Sequence, residues 1–121
     1  MRVVLVEDNH GFRQTLELLF GLRGIEVVGS VGTGREAVTA CAELRPEVVV
    51  MDYRMPGMNG AQATREVLEA SPGSSVVCLT ASVTGDEQRE ILAAGAVACV
   101  MKGEALEEIV DAIHSAALAR A

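Results

Sequence analysis

Short apolar runs recur along the chain at residues 3–6, 27–31, 48–51, 76–79 and 97–101. Each is too short for a helix and rich in valine, whose branched Cβ suits a pleated strand better than a helix. Four of the five show no in/out alternation, the pattern of strands covered on both faces of a parallel sheet. The second, within IEVVGSV, is broken by polar and glycine residues and suits an edge. Helical spacing fills the gaps. Phe12, Leu16, Leu19 and Phe20 recur at i, i+4, i+7, i+8, and Leu106, Ile109, Val110 and Ile113 at i, i+3, i+4, i+7. Residues 34–44 and 60–70 are predicted helices, ended by Pro46 and by Ser71-Pro72-Gly73, with a weaker helix over 83–94. The resulting (βα)₅ order predicts an α/β fold: a doubly wound five-stranded parallel sheet with right-handed crossovers. Ligand sites in such sheets lie outside the carboxyl ends of the strands, at a topological switch point.

The residues just past those runs are therefore the ones to inspect. They are Glu7 and Asp8 after the first, Asp52 after the third, Thr80 after the fourth and Lys102 after the fifth. Singly, each has an ordinary reading: Asp8 or Thr80 could cap the following helix, and Lys102 could be a solvated strand end. Jointly they put three carboxylates, a hydroxyl and an amine on one rim. Three clustered carboxylates cannot all stay ionised and unpaired, so a hard divalent cation is their natural counter-ion. One of them could then act as a nucleophile toward phosphorus, with hydroxyl and ammonium binding phosphoryl oxygens.

Composition narrows the field further. The 121-residue chain is the size of one domain, and it carries 10 basic and 17 acidic residues for a net charge of −7, which disfavours a general nucleic-acid surface. No apolar span is long enough for a membrane helix and no leader pattern appears, so the expected location is cytoplasmic, with no membrane partner. Cys41, Cys78 and Cys99 lack metal-site spacing and are expected to be small buried hydrophobes.

The stretches VVLVEDN, VVVMDYRMPGMNG, VVCLTAS and GAVACVMKG resemble the successive signatures of response-regulator receiver domains, the phosphoacceptor half of two-component signalling. The resemblance runs from Arg2 to about Ala117, and its most specific part is Asp-x-x-Met-Pro-x-x-x-Gly, Asp52 to Gly60. It implies a flavodoxin-like fold with strand order 2-1-3-4-5, residues 1–121 forming one receiver domain and any output domain lying beyond the chain. It also implies Mg²⁺- (or Mn²⁺-) dependent transfer of a phosphoryl group from a sensor histidine kinase to Asp52, switching transcription. Such a domain catalyses its own phosphorylation and dephosphorylation and is not otherwise an enzyme.

Residue by residue, Asp52 matches the phosphoacceptor, Asp8 the direct metal ligand and Glu7 a ligand acting through water. Arg54 stands where the family uses a backbone carbonyl as metal ligand, its side chain free to tune rates. Thr80 matches the switch hydroxyl and Lys102 the amine that pairs with the phosphoryl group. Two positions depart from the pattern. Cys99 occupies the place of a mobile aromatic, and Gly103 replaces a proline that often follows the lysine, leaving the isomer of that peptide open. Lys102-Gly103 with Leu79-Thr80-Ala81-Ser82 leans toward the subfamily with a LuxR-type helix-turn-helix output, through which alone DNA would be bound. A homodimer is expected either across residues 83–94, the fifth strand and the last helix or across the first and last helices. The terminal residues 112–121 read as the last helix leading toward a linker.

Three rival readings explain less. Gly32-Thr33-Gly34-Arg35-Glu36-Ala37 fits a dinucleotide fingerprint on paper, but a full βα unit precedes it and the strand-end residues are left idle. A haloacid-dehalogenase-type phosphohydrolase would want a second Asp where Arg54 stands. A degenerate receiver, working without phosphate, would not need the complete set of acids, Thr80 and Lys102. His10 and His114 are expected to be solvated or capping.

Overall fold

A computed structural model describes residues 1–119, so Arg120 and Ala121, and with them the expected lead into a linker, lie outside the described residues. The elements are β1 (Arg2–Val6), α1 (His10–Leu22), β2 (Glu26–Val31), α2 (Gly34–Leu44), β3 (Val48–Met51), α3 (Gly60–Ala70), β4 (Ser75–Thr80), α4 (Gly85–Ala93), β5 (Ala98–Met101) and α5 (Leu106–Ala119). The five strands form one parallel sheet in the order β2-β1-β3-β4-β5, as expected, with the polar second run at an edge.

The absence of alternation in the central strands has a direct cause. Val3, Leu5, Val48, Val50, Val77 and Leu79 face one way, into a core shared with Leu16 and Phe20 of α1 and with Ile109, Val110 and Ile113 of α5. Val4, Val6, Val49, Met51, Val76 and Cys78 face the other way, against Ala37 and Cys41 of α2, Ala63 and Val67 of α3 and Ile91 of α4. Both faces are dry, so both sets of side chains must be apolar.

Caps fix where four of the helices begin. Asn9, Thr33, Asn59 and Thr84 each accept a backbone N–H of the first turn of α1, α2, α3 and α4 in turn. Asp8 and Thr80 therefore do not cap, and their side chains are left for other work. The weak helix expected over 83–94 starts later, because Thr84 and Glu87 close a reciprocal capping box. No peptide bond of the described residues is cis, so the Lys102–Gly103 joint is trans. No described helix is long and apolar enough to cross a membrane.

Candidate functional site

β1 and β3 lie side by side, and the chain leaves β1 toward β2 on one flank while β3 extends the sheet on the other. The crevice between their carboxyl ends is the switch point. The backbone stays laddered one residue beyond each strand: the Asp52 N–H donates to the Val6 carbonyl and the Glu7 N–H to the Val31 carbonyl, both at 3.0 Å. That holds the two acids rigidly at the rim. Carboxylate oxygens of Glu7, Asp8 and Asp52 come within 4.8 Å of one another. Glu7 and Asp52 are only 2 % and 4 % exposed, while Asp8 is open to solvent.

Lys102 enters from the far side. Its backbone N–H donates to the Thr80 carbonyl at 2.8 Å, which fixes the strand end, and its side chain crosses over β4 to the acids. The Nζ lies 2.6 Å from Glu7 Oε1 and 3.2 Å from Asp52 Oδ2, and sits 4.9 Å from the centre of the Phe12 ring. Burial pulls the Lys102 pKa down, but the two carboxylates outweigh it and the net shift is upward. Glu7 is also raised, by burial first and by the Asp52 charge; Lys102 and the Asn9 backbone N–H, 2.9 Å from Glu7 Oε2, oppose it.

One ammonium against three carboxylates leaves the cup two charges short of neutrality when all are ionised. Arg13 does not supply the difference, because its guanidinium donates to the Glu7 backbone carbonyl at 2.8 Å and its other nitrogen meets His10 Nδ1. An all-oxygen donor set with that deficit fits a hard divalent cation, with two buried carboxylates fixed and one exposed.

The rest of the loop from β3 to α3 is shaped by a close approach. The Gly60 N–H donates to the Tyr53 carbonyl at 2.7 Å, and a Cβ on Gly60 would stand 2.7 Å from both the Asp52 carbonyl oxygen and Tyr53 Cα. Only glycine lets the loop fold back against the start of α3. Arg54 turns its side chain away from the acids. Its Nη2 donates to Glu87 Oε1 at 2.8 Å, its guanidinium lies 5.4 Å from the centre of the Tyr53 ring, and the same Glu87 oxygen accepts the Thr84 N–H. The Thr84 N–H and then Arg54 hold the Glu87 carboxyl below its usual range.

Thr80 is buried on the strand end next to Lys102, with its hydroxyl directed to the Ser82 carbonyl at 3.5 Å rather than to the acids. The structure thus gathers Glu7, Asp8, Asp52 and Lys102 and leaves Thr80 and the Arg54 side chain at the periphery. Phe12, Arg13 and Asn9 also touch this cluster. Phe12 reads in the sequence as an ordinary core position of α1, and only the cap residue Asn9, three before it, carries a local marker. Cys41 and Cys78 are buried as expected, whereas Cys99, on edge strand β5, is only half-buried. Gly32 to Gly34 lead from edge strand β2 into α2, where Thr33 caps the helix.

Comparison with known proteins agrees with this geometry. The model of the response regulator receiver domain family matches residues 3–114. Response regulator GacA of Pseudomonas aeruginosa is 38 % identical over 113 residues, covering 92 % of this chain and 53 % of GacA, so the chain spans about half the length of that relative. A LuxR-family two-component response regulator from Aurantimonas superposes with a TM-score of 0.92 at 29 % identity, covering 98 % of this chain and 86 % of that one. The receiver domain of sensor histidine kinase PA1611 from Pseudomonas aeruginosa, which has a magnesium ion in its active-site cleft, superposes with a TM-score of 0.86 at 26 % identity and 98 % coverage of each. The chain belongs to the response regulator receiver domain family.

Proposed function

We propose that Asp52 is the phosphoacceptor of this receiver, charged by the phosphohistidine of a sensor histidine kinase. The observation that carries the reading is the convergence of three carboxylates within 4.8 Å, with the Lys102 ammonium on two of them. In the transfer a carboxylate oxygen of Asp52 forms a bond to phosphorus as the bond from phosphorus to imidazole nitrogen breaks, and the imidazole takes up a proton. When bound, Mg²⁺ (or Mn²⁺) neutralises charge developing on the phosphoryl oxygens. Asp8 and Asp52 would hold it directly, Glu7 through water, and the Arg54 backbone carbonyl would complete the protein's share. The Mg²⁺ in the PA1611 receiver supports that choice of ion.

The chain's own groups do the positioning. Glu7 and Asp52 are held by the sheet ladder, so the nucleophile needs no reorganisation. Lys102 already bridges them and stands ready to bind a phosphoryl oxygen in place of a carboxylate. Thr80, at present on the Ser82 carbonyl through a long 3.5 Å contact, has little to lose by turning to the phosphoryl group. That movement biases a pre-existing two-state equilibrium rather than making a new fold. Cys99 is too small to follow Thr80 as an aromatic would.

By this reading residues 1–121 are one cytoplasmic receiver domain that controls its own phosphorylation state, and transcription is the output. The LuxR-family relative supports a helix-turn-helix output, through which DNA would be bound. Leu92, Val97 and Met101 are exposed and favour a second copy docking on the α4–β5–α5 face. Sedimentation unchanged by phosphorylation would count against that dimer. For the acceptor itself, intact-mass spectrometry after incubation with Mg²⁺ and acetyl phosphate should show a gain of one phosphoryl group that Asp52→Asn abolishes. No gain in the wild type, or an equal gain in the variant, would sink the reading.

A further inference from the structure

β4 and β5 are paired in parallel with Cys78 directly opposite Cys99, so both thiols stand on the same face of the sheet, in the core covered by α2, α3 and α4. Facing each other across one rung of the ladder, they are neighbours on adjacent strands. Met51 is the partner of Cys78 on the other side, which makes one cross-strand row of three sulfur residues below Asp52. Cys78 is 1 % exposed, and Cys99 is half-buried at the sheet edge, so the pair has one open end. The helix over it, α4, has a single buried residue, Ile91, and is the least anchored of the covering helices.

We infer that Cys78 and Cys99 form a dithiol site for a trivalent thiophilic centre, a soft metalloid such as an organoarsenical. Parallel strands stand ~4.8 Å apart, whereas the Cβ atoms of a disulfide need ~3.8 Å, so a direct S–S bond would drag β5 inward by about an ångström. An atom bridging the two sulfurs needs no such movement. Burial pushes both thiols above their ordinary range, so at rest the pair is neutral. In the net condensation with an arsenic(III) oxide two S–As bonds form, two S–H bonds break, and the two protons leave with the oxygen as water. Arsenic stays trivalent and no oxidant is consumed. Cys41, on α2 and wholly buried with its pKa pushed up to about 12, has no partner thiol opposite it in the sheet and serves as the internal control.

This inference rests on the pairing and burial of the two cysteines and stands whether or not Asp52 accepts phosphate. The test is native and denatured mass spectrometry of the folded chain treated with one equivalent of phenylarsine oxide, then challenged with excess glutathione. The expected result is one C₆H₅As unit gained and two hydrogen atoms lost, resistant to the monothiol and removed by 2,3-dimercaptopropanol. Cys99→Ser, at a half-buried position that tolerates the change, and Cys78→Ala should each lose the resistant adduct, and Cys41→Ala should keep it. Circular dichroism confirms that each variant is folded. An adduct that glutathione strips from the wild type, that survives in Cys99→Ser, or that forms only in denaturant would overturn the assignment.

Discussion

Lys102→Met removes the ammonium from the acidic cup while keeping most of the side-chain volume. The nitrogen stands 2.6 Å from Glu7 and 3.2 Å from Asp52, acids that water scarcely reaches. Deleting one partner of a buried ion pair typically costs about 3–5 kcal/mol, because the other charge is left uncompensated. The Lys102 side chain is 19 % exposed and Glu7 can take up a proton, so the expected loss is near the lower end, about 3 kcal/mol without metal. With a urea slope of about 1–3 kcal/mol per molar, the unfolding midpoint should fall by about 1 M or more. The pH dependence follows from Glu7. Its folded pKa is raised above the ordinary 4.5, so the folded state holds the proton more tightly. The stability this gives is complete below 4.5 and is lost as pH rises through the raised folded value. Without Lys102, one influence opposing that rise disappears, so the deficit of the variant should be small below pH 4.5 and full at neutral pH. Saturating Mg²⁺ should shrink the neutral-pH deficit, since the cation binds only the folded cup and replaces the missing charge. Urea melts of wild type and variant at both pH values, with and without Mg²⁺, read all three effects. A deficit that changes with neither pH nor Mg²⁺ would show that Lys102 acts by packing and that the electrostatic account of the cup is wrong.

Other outcomes can be read on the same scale. Gly60→Ala places a Cβ 2.7 Å from backbone atoms of Asp52 and Tyr53, so urea melts should show a loss of about 1–3 kcal/mol, and phosphorylation by acetyl phosphate should slow with it. Ser74→Ala strips a hydroxyl that donates to the Pro46 carbonyl at 2.5 Å and meets the Ser71 hydroxyl at 2.7 Å, all buried; it should cost about 1–3 kcal/mol with no change in metal affinity. A double-mutant cycle on Arg54 and Glu87 should return little coupling, because solvent around the exposed Arg54 screens the pair, while Glu87→Ala alone should lower the urea midpoint further than Arg54→Ala does, through loss of the capping box.

The sequence was most legible where burial on both faces leaves no choice of residue. The valine runs locate all five strands, and the helices at 34–44 and 60–70 match α2 and α3 to the residue, with Thr33 and Asn59 capping their first turns in the structure. The convergence of Glu7, Asp8 and Asp52 was legible too, because a parallel sheet must bring its strand ends to one rim. Which group touches which was not. Lys102 reaches Glu7 more closely than Asp52, a matter of side-chain length and of the Phe12 ring beneath it. The ordinary alternative, that Asp8 and Thr80 cap the following helices, falls away because Asn9 and Thr84, placed where the backbone turns extended, take that role. Arg54 pairing with Glu87 joins residues 33 apart and has no local trace. The partnership of Cys78 with Cys99 depends on strand register, which no periodicity reports.

The central claim is that Asp52, rather than Asp8 or Glu7, carries the phosphoryl group. Borohydride cleaves an aspartyl phosphate to homoserine, so reduction of the acetyl-phosphate-treated chain followed by tandem mass spectrometry reads the site directly. The account requires homoserine at position 52 alone, and only when Mg²⁺ is present. Reduction product at position 8, at any other acid, or at position 52 without a divalent cation would contradict it.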